Sequence, residues 1–289
     1  MLATTPTAMS MPLDQAFITS PLPDASTWAD AFERLDIPVL ESTAATIDDF
    51  RPVEDAVDAH MLAEAIDEDP LMTLKLLRHV ASRRSARATA DAETVTAAMV
   101  LLGIPPFFRA FEVLPSVEQR LSAHPAALDG LQAVIRRSHR SARFALGFAV
   151  HRMDHDAPVI HEAALLHDFA EMLLWVHAPS LALHIRSRLA LDPALRTVDL
   201  QREVLNASLA DVQQALMQRW RLPELLVRIS ADHASAAAQV RNVQLAIRIA
   251  RHSVLGWDNP ALPDDLTELG QLLNLGQPHV RQLLLELDA

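Results

Sequence analysis

The chain has 289 residues with 37 acidic and 25 basic side chains, a net charge of −12, and half of it is apolar. That is a globular composition, long enough for one or two domains and a sizeable core. The lack of cysteine excludes disulfides and thiolate metal sites and fits a reducing compartment. Six glycines against eighteen prolines, with no tyrosine, argue against a β-sandwich or barrel and against a glycine-rich phosphate cradle.

Residues 1–25 are rich in Thr, Pro, Ser and Met, show no period and read as a mobile tail. They have neither a basic start nor an apolar core, so a signal peptide is not expected. A first helix is expected after Ser26 or Thr27, with Trp28, Ala31, Phe32 and Leu35 on one face, ending where Asp36-Ile37-Pro38 breaks the chain. Val57, Met61, Ala65 and Ile66 mark a helical stripe over 54–67. Asp69 caps the next helix, Pro70 suits its first position, and an apolar pattern through Leu71, Leu74, Leu76 and Leu77 carries it to about Ala81. Residues 83–91 read as a polar loop, in which Arg83, Arg84 and Arg87 could meet an anion or simply face solvent. A short helix over 94–102 stops at Gly103, and Ile104-Pro105-Pro106 opens another element through Phe107, Phe108, Phe111 and Leu114. Longer helices are expected over 126–152, 159–177, 180–190, 199–220, 223–234, 239–255, 265–274 and 278–287, with prolines at most of their junctions. No alternating β-branched run occurs, so the fold class is all-α. Two helical parts meet near 115–125. No run of about 18 apolar residues appears, so no transmembrane helix is expected and the protein reads as soluble and cytoplasmic.

The charge is unevenly spread. Residues 1–69 hold 15 acids and 2 bases, whereas residues 70–289 hold 22 acids and 23 bases. The acidic region is either a docking face for a basic partner or a solvated surface. No clustered excess of cations marks a nucleic-acid footprint. The last two helices flank Gly276 as a helix-turn-helix might, but His279 and Arg281 are the only cationic groups of the second. Nucleic acid and membrane are therefore not expected partners.

With no cysteine, metal chemistry would have to use His, Asp and Glu. The dipeptide His167-Asp168, within 161–175, offers an imidazole nitrogen and a carboxylate oxygen to one cation. That pairing suits a metal that activates water for phosphoester hydrolysis. Its plain alternative is a structural pair in which Asp168 bonds the imidazole or Arg137. His151 and His155 lie at an exposed helix end with no distant partner evident.

Six stretches carry a family resemblance: Ile37-Pro38-Val39-Leu40; Ile66 to Leu71 with Lys75-Leu76-Leu77-Arg78; Ala81-Ser82; Ala97 to Gly103; Ala164-Leu165-Leu166-His167-Asp168; and Trp220-Arg221-Leu222-Pro223-Glu224. In order and spacing they resemble the HDOD domain, a branch of the HD superfamily of helical phosphohydrolases. The resemblance implies a multi-helix HD-like bundle with an N-terminal helical subdomain. Residues 26–120 would form the N-terminal helical part, and residues 121–289 the HD-like part with the C-terminal helices.

The wider superfamily binds metal through a leading His, the His-Asp pair and a distant Asp. Aligned on Ala142, Ala145 and Ala149, the leading position falls on Arg137, with His139 two residues away on another face. The position before the "WGLPE" helix falls on Leu209, the paired His on Asp232-His233, and the last carboxylate on Ile247 of Leu245-Ala246-Ile247. Only His167 and Asp168 remain, and an arginine at a ligand position repels a cation. Arg137 either fills the metal's space and pairs with Asp168, or faces solvent within the run Arg136, Arg137, Arg140 and Arg143. The resemblance thus implies a non-catalytic signalling or regulatory protein with a degenerate pocket of His167, Asp168, Arg137 and His233 and no cofactor. It would act through a protein partner or a small-molecule ligand. The alternative is a metal-dependent phosphohydrolase on a nucleotide or cyclic dinucleotide, using His167 and Asp168 with a substitute ligand such as His139 or His233.

Overall fold

A computed structural model describes residues 16–83, 92–192, 194–231 and 237–288. The expected loop residues 84–91, and His233 with its neighbour Asp232, lie outside the described residues. The helices follow in chain order. The first seven are α1 (Ala25–Arg34), α2 (Glu41–Phe50), α3 (Ala59–Ile66), α4 (Pro70–Ser82), α5 (Val95–Leu102), α6 (Ile104–Ala110) and α7 (Val117–Arg120). Then come α8 (Pro125–His151), α9 (Ala157–Leu165), α10 (Phe169–His177), α11 (Pro179–Leu191), α12 (Thr197–Leu205) and α13 (Leu209–Trp220). The last are α14 (Glu224–Ala231), α15 (Ala238–His252), α16 (Leu262–Leu273) and α17 (Gln277–Asp288). A 3-10 turn over Arg51–Ala56 joins α2 to α3. Among the described residues there is no strand; one parallel bridge pairs Val39 with Ser116. No described helix is long and apolar enough to cross a membrane.

The caps explain the boundaries. Asp24, Asp58, Thr94, Ser116 and Ser208 each accept backbone N–H groups at a helix start. Asp69 does more. One of its oxygens accepts from the N–H groups of Leu71 and Met72 at 2.9 and 3.0 Å, and the other from Leu40 N–H at 2.7 Å. Two distant motifs, Ile37 to Leu40 and Asp69-Pro70, are thereby one structural unit, and Asp69 is fully buried within it.

Several expectations need correction. Residues 17–24 are held against the core rather than forming the end of a loose tail. Arg120 lies over the Phe17 ring at 4.7 Å, Ile18 N–H donates to the His177 carbonyl at 2.8 Å, and Asn206 donates to the Leu22 carbonyl at 3.1 Å. The expected helix over 54–67 begins only at Ala59, and α2 was not anticipated. The expected 159–177 helix is two helices broken at Leu166-His167-Asp168, and 199–220 is broken at Asn206, whose backbone is left-handed at φ 60°.

A long central helix, α8, organises the second half. It buries Leu131, Val134, Phe144, Ala145, Phe148 and Ala149 against α9, α10 and α15. The apolar core is continuous from Trp28 to Leu284. Helix α1 packs against α13, where Arg219 pairs with Asp30, and Trp28 Nε1 donates to the carbonyl of Leu205 at the end of α12 at 2.8 Å.

Candidate functional site

The break between α9 and α10 places His167 and Asp168 at a turn facing α8 and α15. Asp168 is 8% exposed, a buried carboxylate that must find partners. Arg137, on α8, donates to Oδ2 from Nε at 3.0 Å and from Nη2 at 2.7 Å. The same Nη2 donates to Glu171 Oε2 on α10 at 2.6 Å. Arg251, on α15, donates from Nη2 to Oδ1 at 2.5 Å. His167 Nδ1 lies 2.9 Å from Oδ1, a hydrogen bond when that nitrogen carries the proton. A carboxylate offers about four lone-pair directions, and these four contacts use them.

The electrostatics follow from that geometry. Burial by itself pushes the Asp168 carboxyl up. The Arg251 and Arg137 guanidiniums, with the His167 hydrogen bond, outweigh burial and hold it well below the usual carboxylate range. Burial opposes the charge on Arg137 in turn, but Asp168 and Glu171 overcome it and raise its pKa.

The resemblance to the HD superfamily would place a divalent cation here, and the residues present do not fit one. Asp168 has no oxygen free of a donor, and two permanent cations face it where ligands would have to be. Among the described residues no group of three or more His, Asp or Glu could hold a metal.

Each expected site residue has a definite place. Arg137 meets Asp168 rather than solvent. His139 turns away: its Nε2 lies 2.8 Å from the Glu68 carbonyl, in a groove shared with Asp67, Arg136, Arg143 and His161. It contacts neither His167 nor Asp168. Leu209 is 8% exposed and lines a neighbouring cavity, and Ile247 is buried among apolar residues. His233 lies outside the described residues.

Arg251 and Glu171 were not anticipated. Arg251 follows Ile247 by four residues, one helical turn on the same face, and Glu171 follows Asp168 by three. The Asp168–Glu171 spacing is readable in the sequence, whereas the approach of Arg251 to Asp168, 83 residues away, is not.

A family model described as HDOD domain matches residues 37–236. No curated protein matches the chain. Among solved structures, the MmoQ response regulator of Methylococcus capsulatus str. Bath is similar with a TM-score of 0.65 at 21% identity, over 87% of this chain and 98% of that one. A virulence factor of Campylobacter jejuni subsp. jejuni is similar with a TM-score of 0.62 at 17% identity, over 86% of this chain and 89% of that one. At these identities the likeness concerns the fold.

Proposed function

The chain belongs to the HDOD domain family, and from that premise we propose that it is a non-catalytic regulatory protein of a bacterial cytoplasm, acting by contact with a protein partner or a small ligand. The observation that carries this reading is the clamp of Arg137 and Arg251 on Asp168. Two guanidiniums supply the positive charge that a hydrolytic metal would bring, but a guanidinium cannot bind water as a Lewis acid or lower its pKa. The cluster therefore works as a strut tying α8, the α9–α10 turn and α15. A partner or ligand that shifts any of these helices would strain it, which gives the bundle a way to report binding.

The test is the metal content of protein purified without a histidine tag or added metal, by elemental mass spectrometry, beside Asp168→Ala. The expected result is no stoichiometric transition metal in either protein and no metal-stimulated hydrolysis of phosphate esters. About one equivalent of metal in the parent, lost in the variant, would overturn the reading in favour of a phosphohydrolase.

A further inference from the structure

Beside the strut, on the Arg137–Glu171 side, lies a half-open pocket of about 230 Å³ bordered by α8, α10, α11, α12 and α13. Its walls are mainly apolar, with Val134, Leu174, Trp175, Ile185, Leu189 and Leu209, and Thr197 and Gln201 add polar groups on the α12 side. Drug-sized ligands occupy about 300 Å³ or more, while an engineered apolar cavity of about 150 Å³ already takes up benzene. The space thus suits a molecule of about ten non-hydrogen atoms.

The chain has shaped this space at a cost. Gly130 sits in the interior of α8, where glycine costs about 1 kcal/mol relative to alanine. A Cβ at Gly130 would come within 2.5 Å of the Trp175 ring. The glycine is what lets the indole lie against α8 as one wall of the cavity.

Two cations border the apolar walls. Arg186 is exposed, and its guanidinium lies 5.2 Å from the Trp175 ring centroid with no carboxylate partner among the described residues. Arg137 spends Nε and Nη2 on Asp168 and Glu171, so the donors of its Nη1 have no acceptor among the described residues. Arg137 and Arg251 balance Asp168 and Glu171, so Arg186 leaves the lining with a net positive charge.

We propose that this cavity binds a small amphipathic carboxylic acid, its apolar body against Trp175, Ile185 and Leu189 and its carboxylate on Arg186. The proposal rests on the regulatory reading above and names the class of ligand that reading leaves open. Occupancy would press on the helices that hold Arg137 and Glu171 and so couple the ligand to the strut.

Calorimetric titration with octanoate, 1-octanol and octylamine tests it. Octanoate should bind saturably with one site per chain, and octylamine at least fivefold more weakly. Arg186→Gln, a surface change that leaves the core intact, should weaken octanoate by about fivefold, the upper range for an exposed ion pair, and leave octanol unchanged. Quenching of tryptophan fluorescence by 8-bromooctanoate should be largely lost in Trp175→Phe. The absence of saturable octanoate binding would overturn the proposal. So would equal binding of octylamine, or quenching that survives in Trp175→Phe. None of these results touches the metal assay, on which the non-catalytic reading stands or falls separately.

Discussion

Asp69 in the N-terminal half of the sequence and Asp168 in the C-terminal half are both buried, at 0% and 8% exposure, but their surroundings stabilise them by different means. Asp69 is solvated by dipoles, the N–H groups of Leu40, Leu71 and Met72. Asp168 is solvated by charges, two arginines and a histidine. Burial pushes the Asp69 carboxyl up, and its N–H partners do not fully offset that. The same burial at Asp168 is overwhelmed by guanidiniums. Glu162, on α9, extends the series. It is 4% exposed and accepts one N–H, from Val95 at 2.9 Å, while its Oε2 has no partner; burial pushes it up to about 8. Backbone dipoles fix the start of α4 and its tie to Leu40, whereas side-chain charges tie α8, the α9–α10 turn and α15 together and can be released.

The comparison implies that Asp69 matters more to stability than Asp168. Asp69→Ala removes a helix cap, worth about 0.5–2 kcal/mol, and strands the Leu40 N–H, at about 1–3 kcal/mol. The expected loss is about 3 kcal/mol by urea denaturation at pH 7. Asp168→Ala leaves two arginines without their shared partner. Removing one member of a fully buried pair costs about 3–5 kcal/mol, but the Arg251 side chain is 47% exposed and Arg137 keeps Glu171. A loss of about 2 kcal/mol is expected. A larger loss for Asp168→Ala than for Asp69→Ala would break the ranking and make the arginine cluster the main stabilising feature.

Glu162 sharpens the contrast through pH. Its folded pKa of about 8 lies above its ordinary 4.5, so the folded state holds a proton that the unfolded state has lost. Stability from this group is fully present below about pH 4.5 and falls as pH rises, the loss being complete once pH passes about 8. The difference between the parent and Glu162→Gln, in which the amide cannot ionise, should change by about 1 kcal/mol between pH 6 and 7. Parallel stability profiles would show that Glu162 is ionised in the fold. Asp168 has the opposite sign: its contribution is present above about pH 4 and is lost only as pH falls through its depressed pKa.

Legibility followed the same division. Features set by one stretch of backbone were readable: Asp69 as a cap, Pro70 and Pro125 at helix starts, and Gly103 as a stop with φ 79°. The break inside 159–177 was not, because Leu165, Leu166 and Phe169 continue an apolar run with no proline or glycine between them. It is buried side-chain contacts to α8 and α15 that accompany the turn. Helix α2 is hard to read because it fully buries only Thr43 and Ile47, with Ala44 and Phe50 packed partly against the core, so its apolar stripe is weak. Asn206 did carry a signal, since asparagine tolerates the left-handed conformation that ends helices. At the site, the motif register found Arg137 and Asp168. Arg251 escaped because only the folded chain brings α15 to the α9–α10 turn.

The smallest expected effect concerns His139, the proposed substitute ligand. Its hydrogen bond to the Glu68 carbonyl joins α8 to the segment just before α4, but it is a single contact in a solvent-accessible groove. A hydrogen bond of this kind contributes about 0.5 kcal/mol net, because water replaces it when it is lost. His139→Ala should therefore lower stability by about that amount and leave metal content unchanged, as elemental mass spectrometry would report. A loss near 2 kcal/mol would mean that the α8–Glu68 contact is a principal tie between the halves. A loss of bound metal would instead place His139 in a ligand set with His167 and Asp168, which its hydrogen bond to the Glu68 carbonyl argues against.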